Sequence, residues 1–520
     1  MIQHPQRRAD RRQHFVAVVV AVGAVAALTG CADFSGIQGH AKMRDASSLA
    51  TNVTSEKPSQ NTLPWQRSDL WREYGDPQLD ALLEQALSGN PSLQQARLRL
   101  ERAQAQSGVA RSALLPQLGA GAELSRDLYT ANSIYPPPLG GNVENSGTVQ
   151  LSGSWELDFF GKNRAALDAA IGSVQAAAAD AQAARLLLAS NVVRSYYQLA
   201  RAGAQLEVAE RTLAQRKEML GLVRSRLAAG LDTQLELRQS QGGIPEAQLQ
   251  IESLLEQQAL TKNALATLVG DPALAQRLKA PTLPAALGVP APTEVPLNLL
   301  GQRADVVAAR WRVEAASRDI DVARALFYPN INLKAYAGFS ALGFSNLLKS
   351  GSEQWGVAPA VSLPLFSGGR LRANLRVKTS DLDAAIEAYN GTVLEAVHDV
   401  SDQLVTVQSL ERQQTEQKSA QQAAEDAYQI ALQRYKAGLS TYLQVLATES
   451  NVLQQRRAAV DLKARVIDTQ VALWRALGGG LPTTPVAVAN DRGALENSAV
   501  RLQSALAGQR PDTAAAPATP

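Results

Sequence analysis

RLAAGLDTQLEL at Arg226–Leu237 and RYKAGLSTYLQV at Arg434–Val445 are two versions of one pattern. Arg226/Arg434, Ala229/Ala437, Gly230/Gly438, Leu231/Leu439, Thr233/Thr441 and Leu235/Leu443 coincide at a spacing of 208 residues, and that register runs without a gap to Gly270/Gly478. Each copy reads as a helix that stops and turns back. Glycine tolerates the left-handed conformation that ends a helix, so Gly230 and Gly438 mark the turns. Asp232 and Ser440 are then expected to cap the returning helices. No proline falls between Asn163 and Ala229 or between Ser367 and Ala437, and both stretches are rich in strong helix formers. A helix of about 66 residues is roughly 100 Å long, several times the ordinary globular helix.

The duplication extends outward from these turns. QARLRLERAQAQSGVARSALLP (Gln95–Pro116) matches AARWRVEAASRDIDVARALFYP (Ala308–Pro329) at a spacing of 213, with Asn90-Pro91 opposite Arg303-Ala304. Asn90 with Pro91 is a helix start, and Pro116 a stop. Each half therefore reads helix, strand, strand, long helix, turn, helix. Pro91–Leu115 would span about 37 Å and Thr233–Val269 about 55 Å, which together nearly equal the long helix. Two parallel columns per half follow, one continuous and one stacked from two pieces. GGIP at Gly242–Pro245 predicts a kink or break in the first returning helix.

Between the helices lie segments of period two. Val149, Leu151, Trp155, Leu157 and Phe159 alternate with polar residues, as do Leu118, Ala120, Ala122 and Leu124. Ile331, Leu333, Ala335, Ala337 and Phe339 form a third such run, and Val357–Phe366 a weaker fourth. Such strands suit a water-filled transmembrane β-barrel and equally a half-buried sheet. Four strands cannot close around a channel, so a pore would need several chains.

Aromatic residues are only 5% of the 520, as expected of long, closely packed helices. The formal charge of +3 lies at the start: Arg7, Arg8, Arg11 and Arg12 oppose Asp10 alone, and the rest of the chain is balanced. No basic footprint for nucleic acid remains. The arginines precede an apolar run, Phe15–Leu28, of secretory length. LTGC follows at Leu28–Cys31 and has the pattern of a bacterial lipobox, with the sole cysteine at the position that is lipidated. Ala32 after it points to the outer membrane. The lone thiol excludes an intrachain disulfide. His4, His14, His40 and His398 are scattered without metal-ligand spacing. GAGAEL at Gly119 reads as strand, not nucleotide loop. No catalytic constellation is present, and the only prosthetic group implied is covalent lipid on Cys31.

Four stretches carry a family resemblance. DLWREYGDPQLDALLEQALSGNPSLQQA (Asp69–Ala96) resembles the opening of the outer membrane efflux protein family, the TolC-type outer membrane factors. VPLNLLGQRADVVAARWRVEAA (Val295–Ala316) is similar to its second-half counterpart, with Gln302-Arg303-Ala304-Asp305 where many members have Arg-Arg-Pro-Asp. SLPLFSGGRLRANL (Ser362–Leu375) and RYKAGLSTYLQVL (Arg434–Leu446) complete the set, spanning residues 60 to 480. With the lipobox they point to the lipoprotein branch that serves resistance-nodulation-division pumps.

The resemblance implies a mainly α chain with a small transmembrane β part, assembled as a homotrimer. Its α-barrel would be continuous with a twelve-stranded β-barrel in the outer membrane, joined by an equatorial belt. The chain would divide into a signal peptide (1–30), a lipidated linker (31–62), two repeats (63–270 and 301–480) around an equatorial linker (271–300), and a C-terminal equatorial segment with its tail (481–520). Arg126–Gly147 and Ala341–Glu353 would be extracellular loops. The implied partners are a periplasmic adaptor and an inner-membrane pump, and the implied function is passive export of small toxic compounds. By the same resemblance Leu443 matches a leucine of the periplasmic constriction, with Leu235 as its repeat mate, and Arg434 and Tyr435 match groups that tie neighbouring helices. Ordinary coiled-coil packing explains Leu443 equally well. Ala447 replaces the family's usual aspartate, leaving Glu449 as a partial substitute for an acidic ring. The rival readings are a type I protein secretion duct and a periplasmic coiled-coil lipoprotein that conducts nothing.

Overall fold

A computed structural model describes residues 34–44, 69–132, 134–284 and 301–479. The chain divides into two units, Met1–Thr483 and Thr484–Pro520. The second lies outside the described residues, as do the expected signal segment and Cys31. The first half runs α1 (Pro77–Gly89), α2 (Pro91–Ser112), β1 (Gln117–Leu128), β2 (Val143–Leu157), α3 (Lys162–Ala228), α4 (Gln234–Val269) and a single turn, α5 (Leu274–Arg277). The second runs α6 (Ala304–Ala325), β3 (Asn330–Leu342), β4 (Glu353–Ser362), α7 (Arg370–Lys436) and α8 (Tyr442–Ala476). The two proline-free stretches make α3 and α7, each an unbroken helix of 67 residues.

The shorter helices stack in pairs, and the joints repeat. Asn90 caps α2 by accepting from the Ser92 and Leu93 amides, while its Nδ2 donates to the Leu268 carbonyl at 2.8 Å, at the end of α4. In the second half Arg303, the repeat mate of Asn90, precedes α6 and donates from Nη1 to the Ala476 carbonyl at 3.3 Å, at the end of α8. Leu268 and Ala476 are themselves 208 apart, so two different side chains bridge equivalent joints. Each satisfies a carbonyl that a helix end leaves without an intrahelical partner.

Four columns result among the described residues. Near the strands the packing order is α2, α3, α6, α7; toward the turns it is α4, α3, α8, α7. Column order is thus α2/α4, α3, α6/α8, α7. Small residues allow close approach along the upper seam: a Cβ on Gly172 of α3 would lie 3.1 Å from the Ala315 Cβ of α6. At the joints the columns bury the largest core cluster, in which Leu79 and Leu83 of α1 meet Val192, Tyr196 and Leu199 of α3 and Leu473 of α8. Burying such side chains stabilises by roughly 1.5–3 kcal/mol each. Tyr196 donates to Asp76, which also caps α1.

The strands form one antiparallel sheet in the order β1-β2-β3-β4, which is also the order of the columns they join. Leu118 pairs with Gly153, Leu151 with Ala337, and Ala335 with Val357, so the alternating apolar positions of all four strands share one face. Ser152, Tyr336 and Gly356 lie on the other. The apolar face is open: Leu118 is 75% exposed and Trp355 78%. A half-buried sheet would cover that face, and here nothing among the described residues does. No described helix is long and apolar enough to cross a membrane.

Three expectations need correction. The helix through GGIP does not break: α4 is continuous with Pro245 inside it. Proline costs a helix interior about 3 kcal/mol; α4 is nevertheless held along α3, where Arg216 Nη1 donates to the nearby Gly243 carbonyl at 2.7 Å. The strands reach further than the alternation indicated, to Leu128 and from Val143, because cross-strand pairing persists past the apolar positions, through Arg126↔Asn145 and Asp127↔Glu144. The fourth strand is Glu353–Ser362, earlier than Val357–Phe366, since its pairing with β3 begins at Glu353 and stops before Pro364.

Residues 34–44 lie along α7. The Asp383 carboxylate accepts from the His40 and Ala41 amides, and Asn390 bonds the Arg44 amide and the Lys42 carbonyl. Phe34 packs edge-on to Phe327, centroids 5.0 Å apart, beside Leu371 at the sheet end of α7.

Candidate functional site at the hairpin turns

Gly230 and Gly438 each have φ of 75°, the left-handed region that favours glycine. Their turns close identically. The Leu231 amide reaches the Arg226 carbonyl at 2.9 Å and the Leu439 amide the Arg434 carbonyl at 2.8 Å, the paired bonding that satisfies a helix's last carbonyls. The caps differ from expectation. Thr233, not Asp232, caps α4, in a reciprocal box with Glu236, and Thr441, not Ser440, precedes α8.

Asp232 is occupied elsewhere. It accepts from Arg226 Nε at 3.2 Å and from the Tyr435 hydroxyl of the other hairpin. The Arg226 guanidinium also sits over the Tyr435 ring, 4.5 Å from its centroid, where a cation meets the negative face of the ring. Tyr435 is fully buried. Burial first, then the bond to Asp232, pushes its hydroxyl well above the ordinary tyrosine range, so it stays a donor. One carboxylate therefore ties the two hairpins together.

The repeat is broken around this tie. Leu227 stands opposite Tyr435, and Ser440 opposite Asp232. Arg434, mate of Arg226, consequently makes no ion pair among the described residues; it is exposed and reaches only the Leu439 carbonyl, at 3.5 Å. Sequence reading passed over Asp232 as a cap. The signal that would have found it is this asymmetry, a buried-type tyrosine on one hairpin and an extra carboxylate on the other.

Leu443 and Leu235 lie two residues beyond their caps, 65% and 62% exposed, with Leu231 and Leu439 exposed beside them. Leu443 packs in no core among the described residues. The buried face of α8 instead carries Tyr442, Val445 and Val452, which meet Met219, Val223 and Tyr428. Coiled-coil packing within one chain does not explain Leu443. Ala447 is exposed on the same side of α8.

Glu449 does not stand in for the missing aspartate. It is 8% exposed, and its carboxylate faces Arg216 Nε at 3.4 Å. Burial raises its pKa, with Arg216 pulling the other way. Arg216 also pairs with Glu246 of α4, and Arg456 of α8 with Glu425 of α7, so this belt of ions joins all four columns above the turns. Sequence alone gave no sign of it. Among the described residues no group of three or more histidines, cysteines or carboxylates is placed to hold a metal.

A family model described as outer membrane efflux protein matches residues 82–271 and 295–479. The fusaric acid resistance protein FusA of Burkholderia cepacia is 40% identical over 356 residues, 67% of this chain and 66% of that protein. The multidrug resistance outer membrane protein MdtP of Escherichia coli is 32% identical over 430 residues, 81% of this chain and 88% of its own. Among solved structures, the outer membrane protein VceC of Vibrio cholerae matches with a TM-score of 0.74 at 35% identity, covering 79% of this chain and 98% of that one.

Proposed function

As the chain belongs to the outer membrane efflux protein family, an outer-membrane efflux channel reaching into the periplasm, we propose that it works as a homotrimer, anchored additionally by lipid on Cys31. The family and the fold are those of channels, not enzymes. In this reading the duct conducts passively and performs no chemistry. Its cargo is small toxic compounds handed over by a periplasmic adaptor and an inner-membrane pump of the resistance-nodulation-division type. The names of FusA and MdtP support drugs and organic acids as that cargo.

One observation carries the trimer. Sheet and columns share one order, so β1 and α2/α4 form one open edge while β4 and α7 form the other. A rotation that brings β4 of one chain against β1 of the next also brings α7 against α2/α4. Open strand edges in lipid cost several kcal/mol per unsatisfied backbone group, and three sets of four strands are needed to close a barrel with room for a channel. The apolar face then meets lipid and the polar face water.

At the periplasmic end the turns form the closed tip. Leu443 of three chains makes an apolar plug that gates by dewetting, Leu235 supports it from the other hairpin, and Gly230 and Gly438 shape the turns. Tyr435, held by Asp232, keeps the second hairpin in place, and Arg434 points to a neighbouring chain. Native mass spectrometry in detergent, with conductance in planar bilayers, tests the reading: a conducting trimer is expected, and a stable, non-conducting monomer refutes it.

A further inference from the structure

The exposed face of α8 runs up the helix in steps of three and four, which keeps residues on one side. From the tip it presents Leu443, Ala447, Ser450 and Gln454, all exposed and none charged. The first charge on this stripe is Arg457, about 21 Å above Leu443 at the helical rise; Asp461, paired with Arg201, and then Arg465 follow. Both of these arginines of α8, Arg457 and Arg465, are exposed and make no ion pair among the described residues. The carboxylates of α8 are three, and arginines of α3 take every one. Glu449 is buried against Arg216, Asp461 accepts from Arg201 at 2.7 Å, and Asp468 is gripped by both nitrogens of an Arg194 fork at 2.9 and 3.0 Å. Glu449 is buried, while Asp461 and Asp468 lie on the same side of α8 as Leu443, 43% and 38% exposed, each neutralised by its arginine. The free charge on the stripe is positive.

We propose that this stripe sets the charge selectivity of the duct, and that the duct favours anionic and neutral small molecules, carboxylates among them, over cations. The inference rests on the reading of the hairpin turns as the channel's inner end, with the Leu443 side of α8 facing the bore. Three copies of Arg457 around one narrow passage focus a positive potential where little water screens it, and rings of arginine or lysine favour anions. The stretch of α8 below them, with alanine at 447 and no carboxylate on this stripe, offers a cation no compensating site there.

Reversal potentials in planar bilayers under a tenfold KCl gradient test this on the full-length trimer. The wild type is expected to prefer chloride over potassium. Arg457→Glu should move the reversal potential toward the potassium side, with Arg457→Gln in between. Lys463→Glu, an exposed charge change six residues away and off the stripe, should leave it in place. Trimer content of each variant in detergent is matched first. A cation-selective wild type, or a shift in Arg457→Glu no larger than that in Lys463→Glu, overturns the selectivity proposal while leaving the channel intact. Failure of the wild-type trimer to conduct overturns the channel reading instead.

Discussion

Leu443 is a bulky apolar side chain standing in solvent on a helix whose other large apolar side chains are buried or half-buried. A single chain gains nothing by exposing it together with Leu231, Leu235 and Leu439, and such patches mark surfaces that meet something. Leu443→Ala should raise single-channel conductance by removing the plug, while Leu235→Ala acts weakly. Equal conductance for wild type and Leu443→Ala, at matched trimer content, would falsify the plug. Asp232→Ala should also open the tip, since it strands the Tyr435 hydroxyl and Arg226 together; an unmet buried donor costs about 1–3 kcal/mol. Tyr435→Phe removes only the hydroxyl and should do less, so the two conductance increases should rank in that order. The acid response belongs to the joint at Arg303. Burial alone would raise the pKa of Asp305, but the Arg303 guanidinium, 2.8 Å away, holds it below its ordinary 3.8. A carboxylate with a lowered folded pKa stabilises above its unfolded value and loses that contribution as pH falls through the folded one. Asp305→Asn should therefore melt below wild type at pH 7, with the gap closing below about pH 4, as thermal unfolding monitored by circular dichroism would show. Of these residues, the glycines and leucines were legible because the repeat aligns them. Asp232 was not, because its work depends on a tyrosine 203 positions away.

Helices were easier to read than strands. A long proline-free run of helix formers announces α3 and α7 whatever surrounds it, whereas a strand's ends depend on its neighbours. β1 and β2 continue past their apolar positions because cross-strand hydrogen bonds, which no single strand encodes, hold Asp127 opposite Glu144. Pro245 shows the converse: a strong local signal for a kink or break, in a helix that stays continuous where it packs along α3. Glycine inside a strand had no obvious reading either, and Gly338 supplies one. A Cβ there would lie 2.2 Å from the Val149 carbonyl oxygen, so β2 and β3 approach too closely for any side chain. Gly338→Val should disrupt the sheet by more than the 1–3 kcal/mol of ordinary overpacking, since backbone must move. The expected result is loss of the SDS-resistant trimer on gels, with the isolated helices still visible by circular dichroism.

At the scale of the molecule, the N-terminal strap and the two open edges matter most. Asp383 and Asn390 grip the backbone of residues 40–44, and Phe34 is seated at the sheet end of α7, which leaves Cys31 three residues further along. Cys31→Ser should abolish lipidation, read by intact mass of membrane-extracted protein, while the sheet still retains part of the protein in the outer membrane. The duplication and the column lengths were legible in the sequence; the agreement in order between sheet and columns was not, because it is a property of packing. That agreement has a consequence for a cell that makes several channels of this kind at once. In the trimer proposed above, a foreign chain would have to match its neighbour twice, by backbone ladder in the bilayer and by side-chain fit along tens of ångströms of helix below it. The ladder is nearly blind to sequence, so in that trimer the helical edge would act as the password, and mixed assemblies would be rejected where they are otherwise hardest to tell apart.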